Sequence, residues 1–301
     1  NSESDTMDLS KEMTAIHPIH AELKSRLQAS KDAPIGIFDS GVGGLTIAQE
    51  IVQHLPNEQI IYYADTAHVP YGPRSDQEIR QLTAQAIEWL YRRGCKMAVV
   101  ACNTASAFSL DYLREHYGAS FPIVGLVPAL KPAVLQTQSK VVAVLATPAT
   151  FRGQLIKDVI QNFAHPAGVE VLAVTCLELV PFVEAGEQMS PACLTVLKQC
   201  LQPVVDQHAD FLVLGCTHYP FLNEAITHLF GQKLTLIDSG LAVARQTARI
   251  LIKNELLFDE IRQNHLQIEC FVSGNNADEL KFVLKHMIKD HMTWRIHNID
   301  D

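Results

Sequence analysis

"IGIFDSGVGGLTIAQEIVQHLP" (residues 35–56) opens with a short apolar run closed by an aspartate and crosses a glycine-rich turn. It then carries apolar residues at helical spacing until Pro56. Strand, turn and helix in that order begin a βαβ unit, and the order recurs downstream. "QIIYYAD" (59–65) reads as the next strand and "TAHVPYGPRS" as a Pro/Gly loop. Ser75 and Glu78 then form a capping box that opens a helix running to Gly94, with Ile79, Leu82, Ala86, Ile87 and Leu90 on one face. "MAVVA" (97–101) is a buried strand, and Cys102 begins the turn into the helix "ASAFSLDYLREHY".

The pattern then starts again. "VVAVLAT" (141–147) is a strand closed by small polar residues, as "IGIFDS" is, and "FLVLGCT" (211–217) matches "AVVACNT". The intervals agree too, 63 residues from Asp39 to Cys102 and 69 from Thr147 to Cys216. A duplicated unit explains this economically. "LTLIDSG" (234–240) repeats an Asp-Ser-Gly ending, and the tail from Leu241 reads as mostly helical with a short strand near "CFVSG" (270–274) that would complete the first sheet.

The expected fold is α/β, with two pseudo-symmetric, doubly wound, flavodoxin- or Rossmann-like parallel-sheet domains and the active site in the cleft between them. The first domain is expected to be discontinuous, 34–128 plus 237–301, with the second at 129–236. Residues 1–33 read as an N-terminal extension with one broken helix around Pro18, and Met7 is a candidate start preceded by six extra residues.

Composition restricts the function. With 48% hydrophobic and 19% charged residues in a 301-residue chain, the balance is that of an ordinary globular protein. A net charge of −9 without a basic cluster argues against nucleic-acid and anionic-membrane partners, which reward clustered Lys and Arg. The polar, acidic start "NSESDTMDLSKEM" is unlike a signal peptide, so the expected compartment is the cytoplasm. The seven cysteines (95, 102, 176, 193, 200, 216, 270), odd in number and without CxxC pairs, read as reduced thiols.

Ligands of open parallel sheets bind beyond the carboxyl ends of the strands, where all these motifs fall. A lone cysteine after an apolar strand is most often structural, but two at matching points of two units are a different matter. A thiol at a helix N-terminus has its thiolate stabilised by the dipole and by unpaired N–H groups. Cys95, Cys193, Cys200 and Cys270 lack such surroundings. Two opposed groups that can give or take a proton suit inversion at a carbon bearing an acidic hydrogen, provided fixed donors stabilise the developing charge. Ser40, Asn103, Thr104 and Thr217 are candidate holders of a carboxylate and an ammonium group.

Taken together and in order, "FDSGVGGLT", "PYG", "VVACNTAS", "VGLVPALKPA", "LATPAT" and "LVLGCTHYP" closely resemble the glutamate racemases of the aspartate/glutamate racemase family, from about Ile35 to Val243. The resemblance implies cofactor-independent interconversion of L- and D-glutamate, supplying the D-isomer for bacterial peptidoglycan, with no metal and no pyridoxal phosphate. It makes Cys102 and Cys216 the two acid/base groups, with Cys216 deprotonating L-glutamate and Cys102 the D-isomer. It implies substrate contacts at Asp39, Ser40, Pro70, Tyr71, Gly72, Asn103, Thr104, Thr147, Thr150, Thr217 and His218. Asp39 and His218 would assist their neighbouring thiols. In "CLELVPFVEAG" (176–186), Glu184 corresponds to an auxiliary acid, with Glu178 a competing candidate. The partner implied is the small-molecule substrate; a homodimer and a cell-wall-precursor activator are further candidates, since family members associate in different ways and some with extended N-termini respond to such a precursor.

Each helper has a plainer reading. Asp39 would serve as a turn and helix cap, His218 as a satisfied turn histidine and Glu184 as a solvated helix residue. "DSGVGG" is a poor dinucleotide fingerprint, since G-x-G-x-x-G needs a glycine where Thr46 stands. Three rivals remain on sequence alone: a two-lobed amino-acid binding module, a metal or cysteine hydrolase using Cys216, His218 and Cys176, and an aspartate racemase.

Overall fold

The structure, a computed structural model, describes residues 30–300, so the helix expected around Pro18 lies outside the described residues. Among the described residues ten strands form two sheets in which every pairing is parallel. The first sheet contains β1 (Ile35–Asp39), β2 (Ile60–Ala64), β3 (Met97–Val100), β4 (Ile123–Gly125), β9 (Ile268–Val272) and β10 (Trp294–Asn298), in the order β10-β9-β2-β1-β3-β4. The second contains β5 (Val141–Leu145), β6 (Glu170–Val174), β7 (Phe211–Leu214) and β8 (Thr235–Ile237), in the order β6-β5-β7-β8. Counted within each half, both share the order 2-1-3-4. The repeat in the sequence is thus a repeat in topology.

The helices are α1 (Leu45–His54), α2 (Asp76–Arg92), α3 (Asn103–Tyr117), α4 (Leu130–Gln136), α5 (Pro148–Arg152), α6 (Gln154–Val159), α7 (Leu179–Glu184), α8 (Pro191–Asp206), α9 (Asn223–Phe230), α10 (Gly240–Lys253) and α11 (Ala277–Met287). Half of the predicted capping box forms, the Ser75 side chain accepting from the Glu78 N–H at 3.2 Å, while the Glu78 carboxylate pairs with Arg74 at 2.6 Å.

Alternation along the strands distributes the core over both faces of each sheet. Ile35 and Ile37 pack with α1, α10 and α11, whereas Phe38 packs with α2 and α3. In the second half Ala143 and Leu145 face α7, α8 and α9, while Val142 and Val144 face α4 and α6. Strands covered on both faces need continuous apolar runs. β1, β3 and β7 are buried at every residue, and β5 at all but its first. Truncating such a residue, Ile37→Ala for example, costs about 2–5 kcal/mol. The edge strands β6 and β8 have no fully buried residue.

The cysteine reading needs one correction. Cys176 and Cys200 form a disulfide, with Cα atoms 6.6 Å apart, while Cys95, Cys102, Cys193, Cys216 and Cys270 are free. Cys176 follows β6 and Cys200 lies on α8, which packs against that strand, so the fold brings together two residues whose 24-residue separation carried no pairing motif. Among the described residues no helix is long and apolar enough to cross a membrane.

Candidate active site

The four strands at the centres of the sheets end at the candidate residues. Asp39 is the last residue of β1, while Cys102, Thr147 and Cys216 each stand two residues beyond the ends of β3, β5 and β7. Strand order reverses between β1 and β3, and again between β5 and β7, and at such switch points the loops diverge and leave a crevice. One cavity of about 230 Å³ is lined by residues from both sets of strand ends. Cys102 and Cys216 line it together, with Asp39, Ser40, Asn103 and Thr104 from the first half and Thr147, Thr150, Glu184, Thr217 and His218 from the second.

Cys102 is the N-cap of α3. Its sulfur accepts from the Ala105 N–H at 3.3 Å and lies 3.7 Å from Ser40 Oγ. It is only 6% exposed, and burial, aided by the nearby Asp39 charge, pushes the thiol up to about 12 against the pull of these donors. Cys102 is therefore held as the protonated thiol.

Cys216 is more open, and the chain beyond it makes a single 3-10 turn, Tyr219–Leu222, before entering α9. Its local support is His218. The imidazole is hydrogen-bonded to the Cys216 side chain, and its Nε2 meets Glu184 Oε1 at 2.9 Å. Burial opposes charge on the ring, but the hydrogen bonds and charges of Cys216 and Glu184 prevail and raise it to about 10. His218 is an imidazolium at neutral pH. Gly43 makes room for it, since a Cβ there would lie 2.4 Å from both His218 Nδ1 and Thr217 Oγ1.

Asp39 ties the halves together. Its Oδ2 accepts from the Gly44 N–H at 2.6 Å, from Thr217 Oγ1 at 3.2 Å and from Tyr62 OH at 3.4 Å, and its Oδ1 accepts from the Ser40 N–H at 2.8 Å. Burial raises its carboxyl above the ordinary value, while the His218 charge and these donors oppose the rise. Thr46 Oγ1 donates to the Thr217 carbonyl at 3.2 Å, and Thr104 and Thr147 hydroxyls meet across the cavity at 2.9 Å. Thr147 in turn caps α5 and lies 3.1 Å from Thr150 Oγ1. Asn103 Oδ1 is buried and has no hydrogen-bond partner among the described residues.

A family model of Asp/Glu/hydantoin racemases matches residues 35–247. The chain belongs to that racemase family. It is 57% identical over 224 residues to the glutamate racemase of Deinococcus radiodurans, covering 74% of this chain and 77% of that protein. The crystal structure of glutamate racemase isoform RacE1 from Bacillus anthracis superposes with a TM-score of 0.77 at 30% identity, over 89% of this chain and 98% of that one. The Escherichia coli glutamate racemase, crystallised with L-glutamate and the activator UDP-MurNAc-Ala, gives 0.74 at 33% identity, over 88% and 98%.

Not every residue implied by the racemase resemblance reaches the cavity. Pro70, Tyr71 and Gly72 are absent from its lining. Pro70 is exposed and follows a cis peptide bond, and Tyr71 is buried in the core with its hydroxyl bonded to Asp65. The same loop touches the cavity through Val69. Of the two competing acids, Glu184 lines the cavity, while Glu178 sits 3.5 Å from Cys176 Sγ. The ligand set of the hydrolase reading is not assembled, because Cys176 is bonded to Cys200. Thr66, Val180, Asn276 and Leu280 line the cavity without having been singled out in the sequence. Val180 shares its segment with Glu184 and was within reach, whereas Asn276 comes from a tail that carried no motif.

Proposed function

We infer that the protein interconverts L- and D-glutamate by moving protons between the two faces of Cα, with Cys216 and Cys102 as the paired acid/base groups and without a cofactor. One observation carries the reading: two thiols from opposite halves line one small cavity in a chain 57% identical to a named glutamate racemase. In the L-to-D direction the Cys216 sulfur takes the Cα proton beside the His218 imidazolium, and the Cys102 thiol delivers its own proton to the opposite face. The return direction exchanges these roles. At each turnover one C–H and one S–H bond break and one of each forms, so only the handedness of Cα and the position of the sulfur-borne proton change.

The intermediate carries extra negative charge on the α-carboxylate, so preorganised donors are required. Asn103, Thr104, Thr147 and Thr150 are the candidates, with the N-terminus of α3 behind them, and the unpartnered Asn103 Oδ1 is an acceptor suited to the substrate ammonium. Asp39, Ser40 and Thr217 complete the binding set. A division into lobes 34–128 plus 237–301 and 129–236 fits this scheme, since enclosure of a charged substrate requires one lobe to move against the other.

A role in supplying D-glutamate for peptidoglycan accords with this reading, as does an activator of the cell-wall-precursor class. The E. coli relative bound to UDP-MurNAc-Ala supports the latter. In D2O, without added cofactor, either enantiomer is expected to approach a 1:1 mixture while acquiring deuterium at Cα. Unchanged conversion by Cys102→Ser or Cys216→Ser protein refutes the two-thiol scheme.

A further inference from the structure

The cavity has to receive a dicarboxylate, yet among the described residues that line it there is no lysine or arginine, and the His218 imidazolium is engaged with Cys216 and Glu184. Both carboxylates must therefore be held largely by neutral donors and backbone N–H groups. The hydroxyls and amide at Thr104, Thr147, Thr150 and Asn103 cluster around the ends of β3 and β5. A second polar pair, Thr66 and Asn276, stands beyond β2 and β9, on the other side of β1. Thr66 and Cys102 follow strands two spacings apart, about 10 Å at the usual inter-strand distance.

The pair is internally oriented. Thr66 Oγ1 accepts from the Gly274 N–H at 3.1 Å and donates its own proton to Asn276 Oδ1 at 3.2 Å. That fixes the carboxamide with its oxygen on Thr66 and leaves the NH2 group available as a donor. The arrangement is tight, because a Cβ on Gly274 would lie 2.9 Å from both of those oxygens. Although Asn276 stands at the N-cap position of α11, its side chain makes no capping bond, and the Ala277 N–H is instead satisfied by Asn298 Oδ1 at 3.1 Å. Asn276 is among the residues lining the cavity, and its side chain does not cap its own helix.

We propose that Asn276, oriented by Thr66, binds the side-chain carboxylate of the amino-acid substrate and so selects a dicarboxylate of glutamate's length over one a methylene shorter. This rests on the racemase reading for the location of Cα between the two sulfurs. The first carboxylate stays at the β3/β5 cluster while the second reaches along the strand ends toward β2 and β9, where aspartate falls short.

Asn276→Asp is the decisive variant. It keeps an oxygen for the Thr66 proton, and so the local fold, but replaces the donor by a negative charge. The KM for glutamate is expected to rise about 10- to 150-fold, the range for losing one charge-assisted hydrogen bond. With kcat little changed, this marks lost binding and not lost chemistry. The preference for glutamate over aspartate should fall by a similar factor while the thermal midpoint stays put. Thr66→Val should give a smaller rise. A KM within twofold of the parent in both variants, or an equal loss for both substrates, overturns the proposal. Calorimetric binding of D-glutamate to parent and Asn276→Asp protein separates the two readings. Binding without Cα exchange in the parent sinks the racemase chemistry alone, whereas equal affinity of the two proteins sinks the role of Asn276 alone.

Discussion

The loop after β3 and the loop after β7 occupy equivalent places in two sheets of the same strand order, yet they prepare their cysteines differently. Cys102 caps a 15-residue helix, is buried, and takes its polar support from a backbone N–H and a serine hydroxyl. Cys216 precedes a short 3-10 turn, is half-buried, and takes its support from an imidazolium braced by Glu184. Duplication supplies two positions facing one cavity, and different neighbours, Ser40 and the Ala105 N–H at Cys102 and His218 at Cys216, give each its own surroundings. On the proposed two-thiol scheme the sulfurs do different jobs in each direction, and like scaffolds here carry unlike surroundings.

The sharpest test is to remove one sulfur at a time. Cys102→Ser and Cys216→Ser should each lower kcat about 10²–10⁴-fold, the usual contribution of a positioned acid or base, while glutamate binding measured by calorimetry persists. Next, His218→Asn should cost Cys216 its cationic neighbour and lower kcat about 100-fold while leaving the Cys102 surroundings intact. Glu184→Gln, which leaves the imidazole in place, should cost less, and an effect as large as that of His218→Asn would make the carboxylate a principal and not a brace.

Both loops make stability fall toward alkaline pH. The raised His218 pKa means that its contribution is complete below about 6.5, the ordinary histidine value, and is lost as pH climbs through about 10. Cys102 adds to the same alkaline loss, because a thiol raised to about 12 stays protonated in the fold while the unfolded chain ionises near 8.5. Thermal midpoints should fall between pH 7 and 10, and His218→Asn should flatten that slope. The smallest expected effect belongs to Thr217→Val, which removes the hydroxyl that reaches Asp39 from the other half, at about 1.5–3 kcal/mol in chemical denaturation.

The fold was readable where strands are covered on both faces. Runs such as "MAVV" and "FLVL" have no polar interruption, because neither face meets water, and the turn chemistry at their ends is correspondingly distinct. The edges were harder. β4 has three residues, β6 is partly exposed throughout, and β10 lies in a tail read as mostly helical, so local pattern and final pairing diverge there. Site residues divided in the same way. Asp39, Cys102, Thr147 and Cys216 end central strands and were visible, while Thr66 and Asn276 owe their proximity to β2 pairing with β9 across the length of the chain. Periodicity does not report such a contact. Tyr71 illustrates the converse, a motif residue whose hydroxyl is bonded to Asp65 in the core.

That late pairing also bears on how the protein is made. β2 leaves the ribosome long before Ile268–Val272, at ordinary elongation rates about 10–40 s ahead of it. During that interval a nascent sheet presents one uncovered edge of backbone amides and carbonyls, open to any neighbouring strand, while the second sheet can already close. Truncation before residue 268 would make this exposure permanent, so a prematurely terminated product should be an aggregation hazard and not merely an inactive fragment.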